Sequence, residues 1–162
     1  MTKIFRLKPL TVGQAREICG WRYDPPYDVY QFPSWDKMVE SLHEFADPEI
    51  RRRQYCGVMN EQGTLSGFAQ FFPLAGLTRL GLGMRPDLSG RGLGEAFVLS
   101  IIEEANSRAP GQAIDLEVHA WNRRAFKVYE RCGFEYEQTY EKMTPQGIQS
   151  FHCMVYRSET LR

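Results

Sequence analysis

The chain has 162 residues, 43% hydrophobic and 25% charged, which suits one globular domain spanning 1–162 with a real core and leaves no room for two of ordinary size. Lysine plus arginine equals aspartate plus glutamate at 20 each, so no basic excess favours nucleic acid or an anionic membrane as partner. The four cysteines form no Cys-x-x-Cys pair, His43, His119 and His152 lack zinc-site spacing, and the N-terminus has no apolar signal core; reduced thiols in a cytoplasmic protein without a metal are expected.

Ile4 to Leu7 reads as a first strand, and Thr11-Val-Gly-Gln14 as a capping box opening a helix that ends near Gly20. Ser34 caps a second helix. Its Trp35, Met38, Val39, Leu42 and Phe45 follow the i, i+3, i+4, i+7 pattern, and Asp47-Pro48 ends it. Between these helices, the stretch from Trp21 to Pro33 combines five aromatic residues with three prolines that forbid regular helix through most of it. The aromatics either plug one end of the core or line a pocket. Arg51-Arg52-Arg53 reads as a solvated strand entry.

Gln54 to Met59 and Leu65 to Phe72 form a hairpin about Asn60-Glu-Gln-Gly-Thr64. Leu80, Leu82 and Met84 alternate with Arg79, Gly81 and Gly83, marking a strand that delivers the chain to Pro86. A helix follows from Glu95 to Arg108, Pro110-Gly111 breaks the chain, and Ile114, Leu116 and Val118 alternate along the next strand. Asn122 caps a helix whose inner face is Ala125, Val128, Tyr129 and Cys132, closed by Gly133 and Phe134. Tyr136 to Met143 and Ile148 to Tyr156 make a terminal hairpin around Pro145-Gln-Gly147. The order β-α-α-β-β-β-α-β-α-β-β is a mixed α/β class with helices on a largely antiparallel sheet.

The segment Pro86-Asp-Leu-Ser-Gly-Arg-Gly-Leu-Gly94 sets three glycines around one arginine at the entry to a helix. Backbone N–H groups in such a loop converge on an anion, and the helix dipole adds partial positive charge. It reads as a phosphate cradle; the plainer alternative is a glycine-rich turn capping a core helix. Residue 95 is Glu, so the loop does not extend to Gly-x-Gly-x-x-Gly, and no Gly-Lys-Ser/Thr occurs, which excludes NAD and ATP sites of those kinds.

Together with the segment Val118-His-Ala-Trp-Asn122-Arg-Arg-Ala125-Phe-Lys-Val128-Tyr129-Glu-Arg-Cys-Gly133-Phe134, this loop resembles the GCN5-related N-acetyltransferase (GNAT) family. In that family a loop Gln/Arg-x-x-Gly-x-Gly/Ala receives the pyrophosphate of acetyl-CoA, and a later strand ends in Asn before a helix carrying Tyr. Ser89 stands here where Gln or Arg is usual. The resemblance covers residues 77–134 and implies the acyl-CoA N-acyltransferase fold, with helices on both faces of the sheet.

The resemblance implies acetyl transfer from acetyl-CoA, as co-substrate, to a primary amine by direct attack in a ternary complex. Ser89, Gly90, Arg91, Gly92, Leu93 and Gly94 would receive the phosphates, with Asn122 also on the cofactor side. Leu82, Gly83 and Met84 would line the pantetheine arm where their strand splays from the next, Gly81 and Gly83 suiting such a disruption. The Met84 N–H would polarise the thioester carbonyl. Tyr129, ordinary core by spacing alone, takes by resemblance the role of acid toward the CoA thiolate, and a hydroxyl of pKa about 10 matches that task. Glu117 is either a base acting through water, as the resemblance implies, or a solvated or salt-bridged strand residue, with His119 as substitute.

For the acceptor, Asp24 and Asp28 beside Tyr23, Tyr27 and Tyr30 would attract a cationic amine and shelter its aliphatic body. Aromatic crowding in that loop favours a small molecule over a peptide N-terminus or lysine. A non-catalytic acyl-CoA-binding module of the same fold remains the rival reading, and homodimerisation through the terminal strands is open.

Overall fold

A computed structural model describes residues 3–157. In chain order the elements are β1 (Arg6–Pro9), α1 (Val12–Cys19), α2 (Trp35–Glu40), α3 (Pro48–Gln54), β2 (Tyr55–Met59), β3 (Leu65–Leu74) and β4 (Leu77–Met84). There follow α4 (Gly94–Arg108), β5 (Ala113–His119), α5 (Arg123–Cys132), β6 (Phe134–Thr144) and β7 (Gly147–Tyr156). Single 3₁₀ turns occupy Tyr27–Tyr30, Glu44–Ala46 and Pro86–Leu88. The class is mixed α/β, with a seven-stranded sheet of order β1-β2-β3-β4-β5-β7-β6 in which β4 and β5 pair in parallel and β1–β2, β2–β3, β5–β7 and β6–β7 antiparallel. Two compact units divide the chain, one of residues up to Phe71 with Leu82–Leu93, the other of Phe72–Gly81 with residues from Gly94 onward.

In the first unit the predicted capping box is present: the Thr11 hydroxyl accepts from the Gln14 N–H at 3.1 Å, and Gln14 Oε1 accepts from the Thr11 N–H at 3.1 Å. The first strand lies two residues later than expected, because its pairing with β2 runs from Arg6–Met59 to Pro9–Cys56. The expected long second helix is two helices. Leu42, at φ 57°, breaks the chain after α2 and points its side chain into solvent, 88% exposed.

Asp47-Pro48 starts a helix instead of ending one. The Asp47 carboxylate accepts from the Glu49 and Ile50 N–H groups at 2.9 and 3.0 Å, and Pro48 takes the first helical turn, where a missing N–H costs nothing. The arginine run therefore lies on α3. Arg51 is buried rather than solvated: its guanidinium donates to the Phe45 carbonyl at 2.9 Å and lies over the Trp35 ring at 5.4 Å. Arg52 and Arg53 stay exposed, paired with Glu49.

The core of this unit is aromatic where β3 meets the helices. Phe32 lies 4.8 Å from Phe45 and 5.3 Å from Phe68, ring centre to ring centre. The Phe68 ring in turn covers Gly83 of β4, where a Cβ would come within 2.9 Å of Cζ and closer still to Cε1. Glu44 joins the 3₁₀ turn to the strands, accepting from the Tyr55 hydroxyl at 3.3 Å and from Gln70 at 2.9 Å.

In the second unit β5 pairs with β4 in parallel over Leu77–Leu80 with Ala113–Leu116, and on its other edge with β7. The terminal hairpin β6–β7 pairs from Phe134–Tyr156 to Thr144–Gly147, with one register shift between Tyr136 and Gln138. Phe97, Val98, Ile101, Ile102 and Ala105 form the buried face of α4, at i, i+1, i+4, i+5 and i+8. Asn122 caps α5, its Oδ1 accepting from the Ala125 N–H at 3.1 Å, and Gly133 ends it in the left-handed conformation.

Gly83→Ala forces the Phe68 ring out of its place against Phe32 and Phe45, and overpacking of this kind costs about 1–3 kcal/mol. Urea unfolding will show that loss, and adding Phe68→Leu to Gly83→Ala will recover part of it.

Candidate active site

In the first unit, Arg85 anchors the approach to the glycine loop. Its N–H donates to the Ser66 carbonyl and its guanidinium to the Leu65 carbonyl, both at 2.8 Å, and Nε meets Asp87 at 2.6 Å. The 3₁₀ turn Pro86–Leu88 then delivers Ser89, whose N–H donates to the Pro86 carbonyl. Gly90 and Gly92 both stand at φ 76°, with Arg91 between them. A Cβ at either would meet nothing within 4 Å, so the demand for glycine here is conformational and the space beside the backbone is open. Positive φ at alternate residues is compatible with the backbone pattern of an anion-binding nest. Arg91 is exposed and Leu93 half-buried.

The same unit holds the end of β4. The Tyr23 hydroxyl donates to the Met84 carbonyl at 2.7 Å, and burial pushes the Tyr23 pKa up to about 12, so this donor stays protonated. The Tyr23 N–H donates to the Gln31 side chain at 2.8 Å, closing the aromatic loop on itself. The loop thereby divides. Trp21 belongs to the buried core with Tyr23 and Phe32 packed against it, whereas Asp24, Asp28 and Tyr30 are exposed and Tyr27 is half-buried.

In the second unit, α4 and α5 meet through small contacts. Gly94 faces Val128, where a Cβ would lie 3.2 Å from Cγ1, and the Cys132 thiol donates to the Glu95 carbonyl at 3.7 Å. Tyr129 is half-buried on α5, edge-on to Phe134 with ring centres 5.9 Å apart. Asn122 is buried, and its side-chain oxygen is engaged in capping.

Asp115, Glu117 and His119 share one face of β5, and the structure surrounds them with groups that local sequence does not reveal. Arg79 grips Asp115 by two hydrogen bonds of 3.0 and 2.9 Å and approaches Glu117 at 3.6 Å. Lys142 reaches from β6 to Glu117 at 2.7 Å. Burial pushes the Glu117 carboxyl upward, but hydrogen bonds from Lys142 and Tyr140 with the charges of Lys142 and Arg79 prevail and hold it below the ordinary value. Burial, and after it the Lys142 charge, lowers His119, whose ring lies between Phe151 at 4.3 Å and Trp121 at 5.3 Å. Burial, then the neighbouring Asp115, raises the Cys153 thiol to about 11.

Sequence reasoning placed Glu117 and His119 on this face but missed Arg79, Tyr140, Lys142 and Phe151 as their neighbours. The available signal was the run of polar residues at alternate positions of a buried strand, which calls for cationic partners without naming them. Among the described residues no group of three or more His, Cys, Asp or Glu side chains is arranged to hold a metal, and no helix is long and apolar enough to cross a membrane.

Comparison with known proteins adds a family. Among solved structures, the spermidine N-acetyltransferase of Vibrio cholerae in complex with CoA and spermine superposes at TM-score 0.76 with 19% identity over 95% of each chain. Glutamate-to-glutamine mutant forms of the spermidine/spermine N-acetyltransferase SpeG from that organism give 0.75 and 19% over 99% of this chain and 97% of theirs. A chimera of the Vibrio cholerae enzyme and hSSAT gives 0.76 and 19% over 94% and 95%. These establish a shared fold. No curated protein matches the sequence. The acetyltransferase (GNAT) family matches residues 16–134, which takes in the glycine loop, β5 and α5, and the chain belongs to that family.

Proposed function

We propose that this chain is an acetyl-CoA-dependent N-acetyltransferase whose single catalytic domain acetylates a primary amine of a small molecule by direct attack in a ternary complex. The observation that carries the reading is the loop Ser89–Leu93, with left-handed Gly90 and Gly92 opening α4, in a member of the GNAT family. The open backbone at both glycines fits a phosphate-bearing co-substrate. The amides from Ser89 to Gly94 would hold its phosphates, and Leu82, Gly83 and Met84 would line its pantetheine arm. Acetyl-CoA supplies the acetyl group as a thioester, whose carbon accepts the nitrogen lone pair while the carbon–sulfur bond breaks.

The chain's own residues move the proton. An acceptor that arrives as an ammonium loses two protons from nitrogen, one before attack and one after it; one proton reaches sulfur and one is released to solvent, so the products are an acetamide and a thiol. Glu117, held as a carboxylate, accepts the first from nitrogen through water, and the Tyr129 hydroxyl gives up the one that reaches sulfur. The Met84 N–H polarises the acyl oxygen, with Tyr23 fixing the Met84 carbonyl on the other side of that residue. For the acceptor, exposed Asp24 and Asp28 attract a cation to the aromatic loop. The superposed enzymes are spermidine N-acetyltransferases, one of them bound to spermine, which makes polyamines the first acceptors to try. A cytoplasmic setting agrees with four buried thiols, none of them in a disulfide.

Thermal unfolding with acetyl-CoA and CoA, against NAD and ATP, tests the reading. A ligand at a hundred times its Kd stabilises by about 2.7 kcal/mol, so the CoA species alone will raise Tm, and the absence of any shift at saturation would remove the proposal. Gly92→Ala, which forces a side chain into the left-handed region at about 1–2 kcal/mol, will weaken that shift.

Thiol release over a panel of amines, spermidine among them, measures turnover. Tyr129→Phe lowers kcat by about a hundredfold or more with the acetyl-CoA KM nearly unchanged; an unchanged kcat would favour a binding module.

The Glu117 carboxyl also makes a pH prediction. Its folded pKa is depressed, so its contribution to stability is present above 4.5, the ordinary value, and is lost as pH falls through the folded value. The difference in unfolding free energy between wild type and Glu117→Gln is therefore greatest near neutral pH and shrinks below 4.5.

A further inference from the structure

Lys142 lies on β6, which is separated from β5 by β7, and half of it is exposed, yet its side chain is not directed into water. It extends across β7 with Nζ 4.7 Å from the centre of the Phe151 ring and ends 2.7 Å from Glu117 Oε1, on a carboxylate only 13% exposed. The Tyr140 hydroxyl donates to the same carboxylate. A carboxylate for charge, an aromatic face for the cation and the methylenes beside it, and a phenol at the rim are what a primary alkylammonium requires.

The carboxylates around the site outnumber the cations by one. Asp115, Glu117 and, through Cys153 at 3.9 Å, Glu137 contribute three carboxylates; Arg79 and Lys142 contribute two cations. Arg79 is committed to Asp115 by its bidentate grip and reaches Glu117 only at 3.6 Å, so Lys142 is the cation whose departure leaves Glu117 without a close countercharge. Glu117 is 13% exposed but Lys142 is 43% exposed, so water can take up the lysine end of the pair when another ammonium replaces it, and Lys142 is a displaceable occupant.

We infer that Glu117, Phe151 and Tyr140 form the binding site for the acceptor's ammonium group, and that the Lys142 side chain occupies it until the acceptor displaces it. This deepens the proposed function and rests on it for the identity of the ligand as acceptor. Lysine's own four-methylene stem defines the class: an unbranched primary alkylammonium, as at the end of a diamine or polyamine. Lys142 acts as a tethered competitor at high effective concentration, which raises the apparent Kd of any amine that must replace it.

The experiment titrates n-butylammonium chloride into the whole protein without acetyl-CoA, at low ionic strength, by calorimetry. Lys142→Met, which keeps the aliphatic stem and loses the charge, will bind it about tenfold more tightly than wild type. Lys142→Arg, which retains a competing cation, will bind as weakly as wild type. Lys142→Gln gives a second charge-free variant should Met disturb the hairpin. Adding Glu117→Gln to Lys142→Met will abolish the gain, and in turnover Lys142→Met will lower the acceptor KM without altering the acetyl-CoA KM. Equal binding by wild type, Lys142→Met and Lys142→Gln, or a gain that survives Glu117→Gln, overturns the inference. The acetyl-CoA thermal shift is read separately. A normal shift without tighter ammonium binding defeats the ammonium site alone, and tighter binding without the shift defeats the acetyltransfer reading while the site stands.

Discussion

The bidentate ion pair between Arg79 and Asp115 is the constraint on which the chemistry of the second unit turns. It joins β4 to β5 at paired positions, one residue before their parallel ladder ends at Leu80–Leu116. Asp115 is 4% exposed, and the part-exposed Arg79 guanidinium meets both of its oxygens, which offsets the cost of taking that carboxylate out of water. By committing Arg79 to Asp115, the fold leaves Glu117, two residues on, to take its principal countercharge from β6. Glu117 is in consequence held as a carboxylate, with its close countercharge supplied by a half-exposed lysine from another strand.

The first unit solves a different problem, that of holding irregular backbone in one shape. The end of β4 carries no bulky side chain at Gly83 and instead receives the Phe68 ring, while Tyr23 fixes the Met84 carbonyl and Arg85 ties the following residue back to Leu65 and Ser66. Rigid partners on both sides of Met84 let the glycine loop that follows present amides without regular secondary structure. Half of the aromatic loop from Trp21 to Pro33 is spent on this scaffolding. Trp21, Tyr23 and Phe32 turn inward, while Asp24, Asp28 and Tyr30 stay exposed and Tyr27 half-buried.

Where signals were local, sequence and structure agree closely. Thr11 with Gln14, Ser34, Asn122 and Gly133 each mark a helix end through a hydrogen bond or a backbone conformation spanning three or four residues. The same physics misled at Asp47-Pro48, since an aspartate before a proline serves equally to stop one helix and to cap the next. Apolar spacing ran unbroken through Leu42, but only the chain break there shows that Phe45 reaches the core from a 3₁₀ turn while Leu42 faces water. Arg51 went unrecognised as a core residue because burying a guanidinium takes a carbonyl and an indole face supplied from other segments.

The amino-acid sequence by itself determined the element order apart from α3, the helix caps apart from Asp47, the glycine loop and the family, because each depends on residues within a turn or two of one another or on a motif of fixed spacing. The tertiary structure alone decided which charges meet. Lys142 and Glu117 are 25 residues apart, Arg79 and Asp115 are 36 apart, and their pairing follows from strand order and register, which no local pattern encodes.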